Sequence, residues 1–176
     1  SVIVYSDKGI VNEASKDKIY KQIVEATYMI NITPLKAHRG GGITLFAKNH
    51  FGSHTRETAM HLHPSLPQNS QGYGNYRIHV DLMGHKDLGG KTVLFIIDAL
   101  WGGSPCELER PRKWDMATFN GDWTSSIFMS LDPVAISSVG FDFLRTEYTN
   151  AIWWNERNNK NEAYPNKFDG VDDYLH

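Results

Sequence analysis

Polar side chains that can bind ligands or transfer protons follow three apolar segments of the chain. The segments are residues 28–32, 93–97 and 125–131, and the polar residues that follow them are Lys36, His38, Asp98 and Asp132. In open sheets of parallel strands, ligands bind beyond the carboxyl ends of the strands. If the three segments are neighbouring parallel strands, one ammonium, one imidazole and two carboxylates converge there. Such a set suits a metal, an anionic substrate or acid–base chemistry.

Each of these residues also has a structural interpretation. Asp132 precedes Pro133, a pair typical of a helix start in which the aspartate caps the helix. Asp98 is equally suited to a turn, and Lys36 and His38, taken alone, are typical solvated loop residues. The functional interpretation therefore depends on their convergence rather than on any one of them.

The histidines indicate a second kind of site. His61 and His63 flank one leucine, a spacing that places both imidazoles on one side of a strand or close together on a turn, and His54 lies shortly before them. Neutral imidazole is a common metal ligand, so His61 and His63 together with Asp98 would suit zinc, iron or nickel. Their spacing matches no known metal-binding motif. A divalent metal is the cofactor that these residues suggest.

Composition excludes several classes of partner and chemistry. The 18 basic and 20 acidic residues give a net charge of -2, which argues against nucleic acid as a partner. The longest apolar run, 93–97, is far shorter than the roughly 20 residues of a membrane helix. A single cysteine, Cys106, excludes a disulfide framework and an iron–sulfur cluster held by this chain alone. Phosphate-loop and Gly-x-Ser-x-Gly motifs are absent from the sequence.

The order of apolar patterns predicts alternating strands and helices. We expect a helix at 16–26, strands at 28–32, 93–97 and 125–131, an amphipathic segment at 43–51, and helices at 75–84 and from Pro133 onward. The fold class is therefore α/β, with a mainly parallel sheet flanked by helices, in a single domain over residues 1–176. Because the chain begins at Ser1 without a methionine and ends just after an apolar pair, we expect a fragment with an incomplete sheet.

Four short motifs of the sequence occur in the same order and with the same spacing as the motifs of one protein family. They are Leu-Lys-Ala-His at 35–38, Thr-Leu-Phe-Ala-Lys-Asn-His-Phe-Gly at 44–52, the apolar strand that ends in Asp98, and Asp-Pro-Val-Ala at 132–135. With these strings the chain resembles the bacterial and archaeal domain of unknown function 362 over about residues 25–145.

The resemblance implies a functional surface made of motif residues. They are Lys36, His38, Asp98 and Asp132, with Thr44, Lys48 and Asn49 as substrate-binding residues. One position departs from the family pattern, because Ser137 stands where that pattern continues with an aspartate. Family members are typically longer, some are exported with a twin-arginine leader, and some carry ferredoxin-type cysteine motifs. The resemblance thus implies an exported or periplasmic protein, with a cytoplasmic one left open, and partners in flanking segments or another chain.

Two functions fit these expectations, and a third interpretation is purely structural. The first is a metal-assisted enzyme acting on a small anionic or polyhydroxylated substrate, in which Lys36 and Lys48 neutralise substrate charge and His38 serves as base or ligand. Asp98 and Asp132 would then hold the metal or orient the imidazole. The alternative is a non-catalytic binding or redox-accessory module associated with iron–sulfur proteins. In the third interpretation, the polar residues at the strand ends only stabilise the fold.

Overall fold

The computed structural model describes residues 1–6, 16–38, 42–65, 77–103 and 110–148, and Cys106 lies outside this set. The strands are β1 (Val2–Val4), β2 (Lys16–Lys18), β3 (Met29–Pro34), β4 (Lys36–His38), β5 (Gly42–Thr44), β6 (Thr92–Ala99) and β7 (Ser126–Ser130). The α-helices are α1 (Lys21–Glu25), α2 (Phe46–Asn49), α3 (Arg77–Gly84) and α4 (Pro133–Glu147). Three 3₁₀ helices, His50–Gly52, Met60–Ser65 and Gly89–Lys91, complete the described elements.

The central sheet has three strands in the order β3, β6, β7. β3 and β6 run parallel, whereas β7 runs antiparallel to β6. The pairs β1–β2 and β4–β5 are also antiparallel. The expectation of a mainly parallel sheet is therefore wrong, although the α/β class is correct. Parallel pairing needs a long crossover connection, and within the described residues such a crossover links only β3 and β6.

Local sequence patterns located most of the central elements. The predicted strands at 93–97 and 125–131 correspond to β6 and β7, and the predicted helix start at Pro133 is the first residue of α4. The helix expected at 16–26 is wrong at its beginning, because Lys16–Lys18 is a strand paired with Val2–Val4. Only Lys21–Glu25 is helical. No helix in the described ranges is long and apolar enough to cross a membrane.

One face of the central sheet is covered and the other is open. On the covered face, Phe95 and Ile97 of β6 pack with α2 and α4 in a core that also contains Leu35, Trp114 and Phe141. Side chains alternate between the faces along each strand. The open face therefore carries Ile30, Ile32, Leu94, Ile96, Ile127 and Met129. Four of these, in β3 and β7, are exposed by 47–65%.

A second core lies between the β1–β2 pair, α3 and two of the 3₁₀ helices. Its buried residues are Ile3, Tyr5, Ile19, Phe51, Leu62, Ile78, Leu82 and Leu88. The 3₁₀ helices His50–Gly52 and Met60–Ser65 each contribute one side chain to it, Phe51 and Leu62. Histidines on these two helices are therefore held beside a rigid apolar centre.

Candidate functional site

Three side chains with ionisable nitrogens surround the buried ring of Phe51, and a fourth lies beside one of them. We call them the His–Lys cluster: His38 of β4, Lys48 of α2, His63 of the 3₁₀ helix Met60–Ser65, and His79 of α3. The Lys48 Nζ atom lies 4.0 Å from the centroid of the Phe51 ring. The rings of His63 and His79 lie 5.5 Å and 5.9 Å from it, centroid to centroid. Three separate elements thus place a nitrogen-bearing side chain against one aromatic ring.

His38 joins the cluster through His63. The two ring centroids are 6.1 Å apart, with an angle of 39° between the ring planes. The Nδ1 atom of His63 lies 2.8 Å from the carbonyl oxygen of Ala59. Because a carbonyl only accepts hydrogen bonds, Nδ1 carries the proton in the neutral form of this ring.

His79 is the buried member of the cluster. Burial, together with the nearby positive charges of Lys48 and His38, lowers the pKa of His79 to about 3. His79 is therefore neutral at pH 7, and the cluster combines one buried neutral imidazole with an ammonium and two less buried imidazoles. Such a set can attract an anion and exchange protons with it.

A buried polar network holds α2 against β3 and so positions Lys48. The side-chain amide of Asn31 donates to the carbonyl oxygen of Phe46 over 3.2 Å and to His50 Nε2 over 3.1 Å. His50 Nδ1 then donates to the Ser53 hydroxyl over 3.0 Å. Asn49, predicted to bind substrate, instead donates to Asn31 Oδ1 over 2.7 Å and to the carbonyl oxygen of Ile32 over 3.1 Å.

Lys36 and Thr44 flank the cluster on paired strands. Lys36 lies two residues before His38, so the two side chains share a face of β4. Thr44 pairs with Lys36 across β4 and β5. Its hydroxyl oxygen is buried and makes no hydrogen bond within the described residues. This hydroxyl can therefore donate a hydrogen bond to a ligand or accept one from it.

The structure does not bring Asp98 and Asp132 together. Asp98 sits at the end of β6 on the open face of the sheet, and its Oδ1 accepts a hydrogen bond from the Leu100 amide over 3.0 Å. Because β7 is antiparallel, Ser130 pairs with Phe95, and the carboxyl end of β7 lies toward the start of β6. Asp132 is therefore at the opposite edge, where it caps α4 through the Val134 and Ala135 amides. The helix-cap interpretation of Asp132 is confirmed.

His61 and His63 also lie in different places. The segment that carries them is a 3₁₀ helix rather than a strand. In a 3₁₀ helix three residues make a turn, so residues i and i+2 point in different directions. His63 belongs to the His–Lys cluster, whereas the Nε2 atom of His61 lies 2.6 Å from Asp17 Oδ2 and its ring is 5.0 Å from that of His54.

Ser137, the departure from the family pattern, lies near the cluster. It lines a cavity of about 130 Å³ between α2, α3 and α4, together with Phe46, Met83 and His79. An aspartate here would place a carboxylate beside the buried imidazole. In this chain that position offers only a hydroxyl.

Sequence reasoning missed two contributors to the site. His79 falls in the segment predicted as a helix, and nothing in the local sequence pattern of α3 shows that its neighbours are Lys48 and His38. Asn31 was counted as part of an apolar strand, although it is buried at 3% exposure among polar partners. A polar residue inside an apolar strand was the available signal for Asn31.

Comparison with known proteins assigns the chain to a family but to no characterised activity. Residues 4–142 match the family described as Domain of unknown function (DUF362). No curated protein matches the chain, and no solved structure does so. The match covers the strings that contain His38 and Lys48, as well as the β6 and α4 positions. Since it spans well over half of the 176 residues, the chain belongs to the DUF362 family.

Proposed function

We propose that the His–Lys cluster binds a small anionic substrate and transfers protons to or from it. The observation that supports this is that Lys48 and His63 lie against Phe51 with His38 beside His63, so that residues of two separate family motifs come together. Lys48 supplies positive charge for a carboxylate or phosphate group. His38 and His63 serve as general acid and base, the role that histidine takes most often in enzymes.

The surrounding residues have supporting roles in this proposal. Lys36 adds a second positive charge on the face of β4 that carries His38, and the Thr44 hydroxyl offers a further hydrogen bond to the ligand. Asp98 and Asp132 have no part in the chemistry, because both carboxylates accept local backbone hydrogen bonds at opposite edges of the sheet. The metal-assisted form of the hypothesis therefore needs an ion held by other residues.

The test uses inorganic phosphate as the probe and Lys48→Met as the variant. Phosphate is titrated into chelator-treated protein while the imidazole resonances of His38 and His63 are followed by NMR. We expect saturable shifts in the wild-type protein and at least a tenfold loss of affinity in Lys48→Met. The control is Lys21→Met, since Lys21 is exposed and pairs only with Glu25 among the described residues. Unchanged affinity in Lys48→Met, or no saturable shift in the wild-type protein, would refute the proposal.

A second candidate is the non-catalytic module, and one observation favours it. The open face of the sheet exposes Ile30 and Ile32 on β3 and Ile127 and Met129 on β7, on either side of β6. Exposed apolar surface of this kind is typical of assembly sites. Sedimentation velocity over a range of protein concentrations separates the candidates. Self-association that Ile32→Lys abolishes, with no phosphate binding in either protein, would support the module instead of the enzyme.

A further inference from the structure

A second cluster of ligand-type side chains lies apart from the His–Lys cluster. Asp17 of β2, His54 and His61 each offer one oxygen or nitrogen atom, and these three atoms lie within 4.8 Å of one another. Asp17 and His54 are buried, at 5% and 4% exposure. Two imidazoles and one carboxylate are ligands of the kind that zinc and similar divalent transition metals use in proteins.

Hydrogen bonds hold the Asp17 carboxylate in place. Its Oδ2 accepts from the Tyr5 hydroxyl over 2.8 Å and lies 2.6 Å from His61 Nε2, while its Oδ1 accepts from Arg56 Nε over 2.8 Å. Burial alone would raise the pKa of Asp17, but these hydrogen bonds outweigh it and lower the pKa. The carboxylate is therefore charged and fixed in orientation, as a metal ligand needs to be.

The His54 imidazole carries a nitrogen atom that lacks a hydrogen-bond partner at the site. Its Nε2 atom is buried and no described residue meets hydrogen-bond geometry with it, although the backbone of Phe51 interacts with the ring. Leaving a buried polar atom unsatisfied is costly, so such atoms call for an explanation. The Nδ1 atom of His54 accepts from the Arg56 amide over 3.3 Å, and His61 Nε2 faces Asp17. Binding of an ion at the Nε2 atom of each ring therefore requires the ring proton to sit on Nδ1, and in His54 this replaces the hydrogen bond from the Arg56 amide.

From this arrangement we propose that Asp17, His54 and His61 form a binding site for one divalent transition metal of the zinc type. An ion with ligands at about 2.0–2.1 Å in tetrahedral geometry separates neighbouring ligand atoms by roughly 3.3 Å. If His61 Nε2 and Asp17 Oδ2 both bind the ion, they move apart by roughly 0.7 Å, and two metal–ligand bonds replace their hydrogen bond. Tyr5 remains hydrogen-bonded to the carboxylate as an outer partner.

The site is open on one side. A cavity of about 420 Å³ reaches Asp17 and is lined also by Val2, Lys16, Lys18, Thr55 and Arg56. Three protein ligands with one open position are typical of catalytic rather than structural zinc sites. The three basic side chains at the cavity favour an anion or hydroxide as the fourth ligand.

The positive charge of Arg56 disfavours a cation at this site, which leads to a specific prediction. Its guanidinium pairs with Asp17 Oδ1, and its side chain is 45% exposed, so it can turn toward solvent when an ion binds. Because its positive charge disfavours a second cation beside Asp17, removing that charge should strengthen metal binding. A residue whose role was only structural would have no such effect.

The experiment is a calorimetric titration of Zn²⁺ into the full chain after treatment with a chelator. We expect one ion per chain, with affinity at least tenfold weaker in His54→Gln and stronger in Arg56→Met. His85→Gln is the control, because His85 lies outside the cluster with its ring nitrogens near the Val2 carbonyl and the Asp87 amide. Far-ultraviolet circular dichroism verifies that each variant is folded.

A second measurement on the wild-type protein keeps the test decisive if His54→Gln does not fold. Zn²⁺ should selectively shift the imidazole NMR signals of His54 and His61 and leave those of His63 and His79 in place. No stoichiometric binding, equal affinity in folded His54→Gln, or shifts confined to other histidines would overturn the proposal. Because the phosphate titration is performed without metal, a failure of the proposed anion site can be distinguished from a failure of the proposed metal site.

Discussion

Asn49 donates a hydrogen bond from its side-chain amide to Oδ1 of Asn31 over 2.7 Å. This contact joins a motif residue on α2 to a buried position on β3. The same amide reaches the carbonyl oxygen of Ile32. Asn49 therefore positions α2, and with it Lys48, while its role in substrate binding stays a prediction.

Replacing Asn49 with alanine should lower the free energy of unfolding by about 1–3 kcal/mol, because the buried Asn31 oxygen loses its donor. Asn49→Asp should be at least as damaging, since it sets a carboxylate oxygen against Asn31 Oδ1. Urea denaturation at pH 7 measures both effects. A fully stable Asn49→Asp variant that has lost phosphate binding would instead assign Asn49 to direct ligand contact.

Asp132 should contribute to stability and not to binding. Its carboxylate accepts from the Val134 and Ala135 amides at the start of α4, and removing such a cap costs about 1 kcal/mol. We expect Asp132→Ala to lose that amount in thermal or urea unfolding and Asp132→Ser to recover most of it. Phosphate and Zn²⁺ affinities should stay unchanged in both variants, and a loss of binding at full stability would contradict the cap assignment.

The pH dependence of stability should reflect His50. Burial lowers the pKa of His50 to about 4, whereas a histidine in the unfolded chain titrates near pH 6.5. Between about pH 6.5 and 4 the unfolded state binds a proton that the folded state does not. The free energy of unfolding therefore falls as the pH drops through this window, by on the order of 3 kcal/mol in total.

The check compares wild-type protein with His50→Gln, which can still hydrogen-bond to Asn31 and Ser53 but does not titrate. Urea unfolding at pH 7, 6 and 5 should show a smaller loss of stability in the variant than in the wild type. Buried His79, whose pKa is lowered in the same direction, keeps a residual dependence in both proteins. Identical slopes would show that His50 is not held neutral by the fold.

Elements with strong local patterns were predictable from the sequence, and long-range pairings were not. The apolar run of β6 and the Asp-Pro start of α4 are encoded by adjacent residues, and both were located. The direction of β7 depends on a connection of 26 residues after β6. No local pattern in this connection indicates whether β7 runs parallel or antiparallel to β6. The predicted convergence of Asp98 and Asp132 failed for that reason alone.

The candidate site was predictable in part. His38 and Lys48 were identified through the family motifs, and His63 through its proximity to His61. The pairing of His61 with Asp17 was not predicted, because these two residues are 44 residues apart in the chain and meet only after β1 and β2 pair. The difference between a strand and a 3₁₀ helix at Met60–Ser65 decides whether His61 and His63 face one site or two.

Lys91 should be among the most important charged residues for stability, although no motif contains it. Its side chain is only 12% exposed. Its ammonium donates to the carbonyl oxygens of Ile23, Val24 and Ala26 over 2.8–2.9 Å. These carbonyls lie at the end of α1, where a helix leaves its last acceptors without intrahelical partners.

Lys91→Met keeps the length of the side chain and removes all three hydrogen bonds. We expect a loss of about 2–3 kcal/mol in the free energy of unfolding, with faster amide hydrogen exchange across Lys21–Glu25. Lys86→Met is the matched control, because Lys86 is 80% exposed and pairs with the same carboxylate, Asp87, as Lys91 does. Exposed ion pairs contribute little, so the control should lose less than about 0.5 kcal/mol. Equal losses in the two variants would mean that Lys91 acts through Asp87 and not through the end of α1.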